Sequence, residues 1–313
     1  MKTVGMIMIV VTLFCQLAAE ELIKKDLMPF FDNVPPPPAT AQEAFTKITI
    51  NDAGTIRISA EKVYGSLEKE VKEMETALAQ QMKSASMAAA PPGAPAGTGN
   101  QMPDPEMKKK MQQMSADEKM KMAMEMMKSM PAGYMTQQPE SPPIQNALAE
   151  WQKVYNTLGT EYQQSVDWQQ EDIRIDEENK KAHGAIGKWE SAEIEKLPQI
   201  SSGEMSAPDP AKVKEVKLQA NDRHIAQANQ NLKQIGELWK KISDHKKTLY
   251  TPFYQKLVAA DYASGYKNFS TFKVLSDAQM MVIKDISHLI ETSRNACEES
   301  AQWLGERQEI EKQ

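Results

Sequence analysis

The sequence predicts an all-α chain: an elongated antiparallel helical bundle or coiled coil, with one small β-hairpin near the N-terminus. Three observations carry this. Leu218, Ile225, Leu232 and Trp239 recur every seven residues, and Ala228, Ile235, Ile242 and Leu249 form a second such series offset by three, the a/d signature of a coiled coil. The 313-residue chain is rich in Ala, Glu, Lys, Gln and Met, all strong helix formers, and has only 14 Gly. Aromatics make up 6% of a chain that is 41% hydrophobic, which is thin for a globular core but sufficient for narrow seams between long helices.

The elements follow in chain order. Residues 1–19 read as a targeting signal: Lys2 supplies the positive start, Val4 to Leu17 the apolar run, and Leu17-Ala18-Ala19 the small residues of a cleavage point. The run is short for a membrane span. The chain is therefore expected to be exported, periplasmic or extracellular; an uncleaved N-terminal segment anchoring it to a membrane is the alternative. Residues 20–44 read as a Pro-rich tether, since Pro35-Pro36-Pro37-Pro38 favours stiff polyproline II. Residues 45–58 read as the β-hairpin: Phe45, Ile48 and Ile50 lie in one β-prone run and Ile56 and Ile58 in another, around the turn Asn51-Asp52-Ala53-Gly54. Residues 59–88 read as a helix capped by Ser59, with Val63, Leu67, Val71, Met74, Leu78 and Met82 on one face. Residues 89–143 read as linkers flanking a Met-rich helix at 105–130, where Pro105 suits the first turn and Ser115-Ala116-Asp117-Glu118 forms a capping box.

Residues 144–313 read as the long helical bundle. Ile144, Leu148, Trp151, Tyr155, Leu158 and Tyr162 alternate spacings of four and three, a heptad seam, and Gly184 and Gly187 predict a bend farther along. Residues 197–210 have the content of an interhelical turn. The coiled-coil helix runs over 211–250, and Thr251-Pro252 is expected to interrupt it. The last helix is placed from Ser276-Asp277 onward, with Ile283, Ile286, Ile290, Cys297, Ala301 and Leu304 as its apolar face.

Charge and cysteine content narrow the function. The formal net charge is −6, and cleavage after Ala19 would make it −7, so nucleic-acid binding by bulk electrostatics is not expected. Cys15 lies in the signal, which leaves Cys297 without an internal disulfide partner. The four histidines show no HxxxH or HExxH spacing; His224 and His245 are three heptads apart and read, like the others, as solvated flanking residues. No nucleophile elbow, phosphate loop or dinucleotide fingerprint occurs, so no enzyme activity and no cofactor are expected.

Two stretches are candidate sites. Eleven of the 21 methionines fall between Met102 and Met135. Soft thioethers select Cu(I), so Met107, Met111 and Met114, or Met120, Met124 and Met127, are candidate copper ligands. A pliable Met surface also suits protein partners. Met120, Met122, Met124, Met126, Met127 and Met130 cover more than one helix face and are the preferred partner surface. Six lysines against four acids over 106–128 permit contact with a membrane surface. The second stretch, 250–272, holds seven of the fifteen Phe and Tyr residues. Tyr254, Tyr262 and Tyr266 are its candidate partner contacts; packing of a helix elbow is the competing account. The sequence thus points to an exported non-enzymatic structural or interaction protein of the cell envelope, binding a protein partner and able to form homo-oligomers through its coiled coil. A Met-rich copper-binding or copper-buffering protein is the alternative.

Overall fold

The computed structural model describes residues 25–48, 61–88, 139–202, 205–260 and 268–313. These are mostly helical: α1 Met28–Asn33, α2 Ala41–Thr46, α3 Glu61–Ala88, α4 Pro142–Thr160, α5 Tyr162–Glu195, α6 Pro210–Ala259 and α7 Phe269–Lys312. One antiparallel pair, β1 Gln199–Ser202 and β2 Met205–Pro208, joins α5 to α6, with Gln199 opposite Pro208 and Ser202 opposite Met205. The predicted interhelical turn is therefore a short hairpin. Among the described residues, no helix is long and apolar enough to cross a membrane.

The described residues fall into two compact units. The larger comprises residues 26–48, 61–74, 150–202, 205–255 and 281–313. In it, the partners on α5 and α6 occur in opposite chain order. Trp168 and Ile175 of α5 pack with Leu238, Ile235 and Ile242 of α6, and Trp168 meets the His245 ring edge-on at 5.1 Å. Farther along α5, Gln227 Nε2 donates to Asn179 Oδ1 at 3.4 Å. α6 and α7 show the same inversion. Trp239 Nε1 donates to Leu289 O at 2.9 Å, Tyr250 Oη to Asp285 at 2.5 Å, and Asn221 Nδ2 to Trp303 O at 2.9 Å. Leu232 and Trp239 are buried as the heptads require, whereas Leu218, Ile225 and Leu249 are half-buried.

The N-terminal segment packs onto this unit, which differs from the expected tether. Leu27, Phe31, Val34, Ala41 and Ala44 are buried, Phe31 lies against Tyr250 at 6.1 Å, and Ala41 N donates to Asn229 Oδ1 at 2.8 Å. The proline run is tied to α7 as well: Ser293 Oγ donates to Pro35 O at 2.6 Å. Helix α2 begins with a reciprocal cap, because Thr40 Oγ1 accepts from Glu43 N and the Glu43 carboxylate accepts from Ala39 N. A 2.6 Å pair with Lys47 lowers the Glu43 pKa. Phe45, assigned above to the β-hairpin, is inside α2. Residues 49–60, with the rest of that hairpin, lie outside the described residues.

Four further expectations change. Helix α6 continues through Pro252 to Ala259; proline removes one backbone bond, but Phe253, Tyr254 and Leu257 beyond it are buried, and their burial outweighs the loss. Helix α5 is continuous through Gly184 and Gly187, and the helical run that starts at Pro142 is interrupted at Glu161. There the ladder is carried by Glu161 N to Thr157 O and Ser165 N to Glu161 O, and the Glu161 carboxylate bonds His245 Nε2 at 2.8 Å. The seam from Ile144 holds only in part: Ile144 and Trp151 are buried, but Tyr155 is 59% and Tyr162 70% exposed, and Val154 is buried in their place. Helix α7 starts at Phe269 rather than near Ser276, which is itself buried in mid-helix.

The smaller unit contains residues 25, 75–88, 139–149, 256–260 and 268–280. Leu78, Ile144, Ala147, Leu257, Ala260, Leu275 and Ala278 are its buried apolar residues. Glu140 Oε1 accepts from Asn268 N at 3.0 Å and Asn268 Nδ2 at 2.9 Å, which fixes the start of α7.

Candidate functional site

The predicted site residues divide by position. Met107, Met111, Met114, Met120, Met122, Met124, Met126, Met127, Met130, Tyr262 and Tyr266 lie outside the described residues, as does the whole 1–19 signal. Tyr254 is described and is 1% exposed, so it presents no surface to a partner. It stacks edge-on with Phe253 at 5.1 Å, and Phe253 meets Trp151 at 5.1 Å. Burial pushes the Tyr254 phenol far up, and the Tyr250 phenol rises through burial and then the Asp285 charge beside it. Tyr250, Phe253 and Tyr254 of the aromatic stretch are therefore helix packing, whereas Phe269 is 40% exposed. Cys297 is buried too, with its Sγ 3.5 Å from Ala44 O and its thiol pushed up to about 11 by burial. A thiol held protonated in this way is a poor nucleophile.

The structure assembles a different site in the larger unit, from α5, α6 and α7. His183 Nδ1 and His224 Nδ1 are 2.6 Å apart, a hydrogen bond between imidazoles. Their ring centroids are 4.9 Å apart with 23° between planes, so the rings lie side by side in nearly one plane. Both stack on the Trp303 indole, His224 at 4.0 Å and 9°, His183 at 4.6 Å and 16°. The pair forms a flat plate over one indole. Two nitrogens bound to one metal at about 2.0–2.1 Å each would stand about 3 Å apart or more, so this is a hydrogen-bonded pair and not a chelate. Among the described residues, no group of three or more His, Cys, Asp or Glu could hold a metal ion.

The electrostatics follow from burial. His224 is 8% exposed, and its pKa falls to about 4, through desolvation first and the neighbouring His183 second. Burial lowers His183 as well. Both rings are neutral near pH 7, and only one proton can occupy the Nδ1–Nδ1 bond. Among the described residues, His183 Nε2 is buried without a partner; placing the shared proton on His183 Nδ1 leaves that Nε2 a bare lone pair rather than a stranded N–H, the cheaper arrangement. Nearby, the Arg223 guanidinium lies 3.6 Å over the Trp189 ring, a second tie between α6 and α5.

Beside this plate opens a cleft of about 400 Å³. His224, Trp303, Asn221 and Ile310 line it, and Glu190, Glu306, Glu309 and Lys217 bring charge to it. A smaller cleft of about 160 Å³ lies by Trp168, His245, Glu161 and Tyr162. Heptad position could not reveal the first site: it sets His224 on one helix edge but cannot place His183 and Trp303, 41 and 79 residues away in the chain, against it. The only local signal was polar residues, Asn221, His224 and Asn231, at one-helix spacings that bury them. No protein-family model matches the chain, and no curated protein or solved structure matches it either.

Proposed function

We propose that the chain is an exported, non-enzymatic interaction protein of the cell envelope, a coiled-coil-like helical bundle that holds a partner in the cleft beside Trp303. The observation that carries the reading is the polar content of that cleft. Among the described residues, Asn221 Oδ1 and Trp303 Nε1 are buried without hydrogen-bond partners, although both residues line an opening. Stability alone favours apolar residues at such positions, because an unsatisfied buried group costs about 1–3 kcal/mol. The signal-like residues 1–19 support export, and the protonated, buried Cys297 supports a non-enzymatic role. The Met-rich stretch remains a second partner surface by sequence, and copper binding there rests on its thioethers alone.

The test is photo-crosslinking in the source cells. A photoreactive phenylalanine analogue replaces Ile310, at the cleft, or Ile173, which is 56% exposed on α5. The reading expects a discrete adduct from position 310 that Glu190→Lys with Glu306→Lys abolishes. Equal adducts from both positions, or none from 310, would contradict it.

A further inference from the structure

Helix α5 is held in two different ways. Its first half buries Trp168 and Ile175 against α6. Past Ile175 its one buried residue is Asn179, and the apolar side chains of Ile186, Trp189 and Ile194 are only half-buried. Residues 176–195 are tied to the neighbouring helices by polar and aromatic contacts instead. Asn179 Nδ2 donates to Glu299 Oε1 at 2.9 Å, Arg223 lies on Trp189, and the His183–His224 pair stacks on Trp303.

The pair has room for two protons and no more. Two neutral imidazoles carry two N–H protons on four nitrogens. With one on His183 Nδ1, shared with His224 Nδ1 at 2.6 Å, the other is on Nε2 of His224, the ring that lines the cleft. A third proton has two places to go. On His183 Nε2 it makes an N–H that is buried with no partner among the described residues. On His224 Nδ1 it sets two N–H groups against each other across 2.6 Å. The charged pair is thus unsatisfied while the rings stay closed, and water satisfies it once they part. Burial lowers both pKa values in keeping with this, His224 to about 4.

Charged groups approach the pair from all three helices. Glu190 of α5, Lys217 of α6 and Glu306 and Glu309 of α7 line the cleft with His224. Arg223 of α6 is on Trp189, Arg307 of α7 pairs with Asp222 of α6, and Lys180 of α5 pairs with Asp176 at 2.5 Å. None of them is a partner of His183 Nε2. Glu299 opposes release: burial first, then the Asp176 charge, raises its pKa, so its protonation in acid favours the closed form. Release therefore falls to the histidines.

We infer that residues 176–195 form an acid-released arm: the His183–His224 bond latches them to α6 and α7, and uptake of a further proton unlatches them while the first half of α5 stays packed. The α6–α7 seam persists, because Asn221 and Trp239 hold it through Trp303 O and Leu289 O, and neither side chain titrates. Glu190 belongs to the arm, so release also takes apart the cleft. The inference stands whether or not that cleft holds a partner.

The experiment is hydrogen–deuterium exchange of the full chain, read by mass spectrometry at about pH 7.5 and about pH 4 and corrected for the intrinsic exchange rate. On acidification, protection over 176–195 should fall about tenfold or more relative to 162–175. In His183→Phe with His224→Phe that selective fall should be absent. In Glu299→Gln, which keeps the histidines, it should persist. Equal loss over both halves of α5, or full protection of 176–195 in acid, would overturn the arm. A selective fall that survives in the double phenylalanine variant, or that Glu299→Gln abolishes, would overturn the histidine latch. Should the phenylalanine variant fail to fold, the parent and Glu299→Gln still decide.

Discussion

The neutral histidine pair makes acid a specific destabiliser of the larger unit. The His224 pKa stands at about 4 in the fold against an ordinary value of 6.5. A folded chain with a depressed histidine pKa binds fewer protons than the unfolded chain below pH 6.5. The contribution is therefore intact above 6.5, declines as pH falls from 6.5 towards about 4, and is fully lost below that. At about 1.4 kcal/mol per unit, this interval corresponds to about 3 kcal/mol for His224, and His183 acts in the same direction. The perturbation is His183→Phe with His224→Phe, which keeps flat rings on Trp303 and removes the titration. Urea unfolding of parent and variant is compared at about pH 7.5 and about pH 4. Carboxylates such as Glu43, which also lose stability in acid, are common to both proteins and cancel in the difference. The parent should lose about 3 kcal/mol relative to the variant between the two conditions. A difference independent of pH would refute the buried, neutral pair.

Other outcomes follow from single contacts. Leu232→Ala, at a fully buried heptad position, should cost about 2–5 kcal/mol in the same assay. Tyr64→Phe removes the 3.0 Å hydroxyl bond to Ser293, whose own hydroxyl still reaches Pro35 O, and should cost about 1 kcal/mol. In a Cys15→Ser chain, Cys297 should resist a thiol reagent until denaturant is added, and prompt reaction in the native protein would contradict its burial. Cu(I) titration against a competing chelator should show no tight site that Met120→Leu, Met124→Leu and Met127→Leu remove, and loss of such a site would favour copper binding.

The sequence carries the elements whose signal is local. Periodicity reveals α3, whose described residues Glu61–Ala88 fall within the predicted 59–88, and α6, because each helix buries one regular face. It fails where distant residues compete. Tyr155 continues the spacing from Ile144 as well as Trp151 does, yet it faces outward and Val154 is buried instead. Pro252 reads as a stop because its local cost is visible, while the burial of Phe253 and Tyr254 that offsets it comes from other elements. The Pro-rich segment reads as a tether because the Asn229 and Ser293 groups that receive it lie about 200 residues or more ahead. The His183–His224–Trp303 site was illegible for the same reason: each residue is unremarkable on its own helix, and the chemistry arises where three helices meet.

That meeting is the claim on which the cleft depends, and the histidine resonances report it most directly. Imidazole C–H signals of His183 and His224 are followed by NMR from neutral pH into acid and identified by single substitution. The geometry predicts both displaced upfield by the ring current of Trp303, with His224 titrating near 4 and His183 below its ordinary 6.5. Trp303→Leu should abolish the upfield displacement. Ordinary chemical shifts with both midpoints near 6.5 would show that the three helices do not converge at these residues, and the binding site proposed above them would be lost.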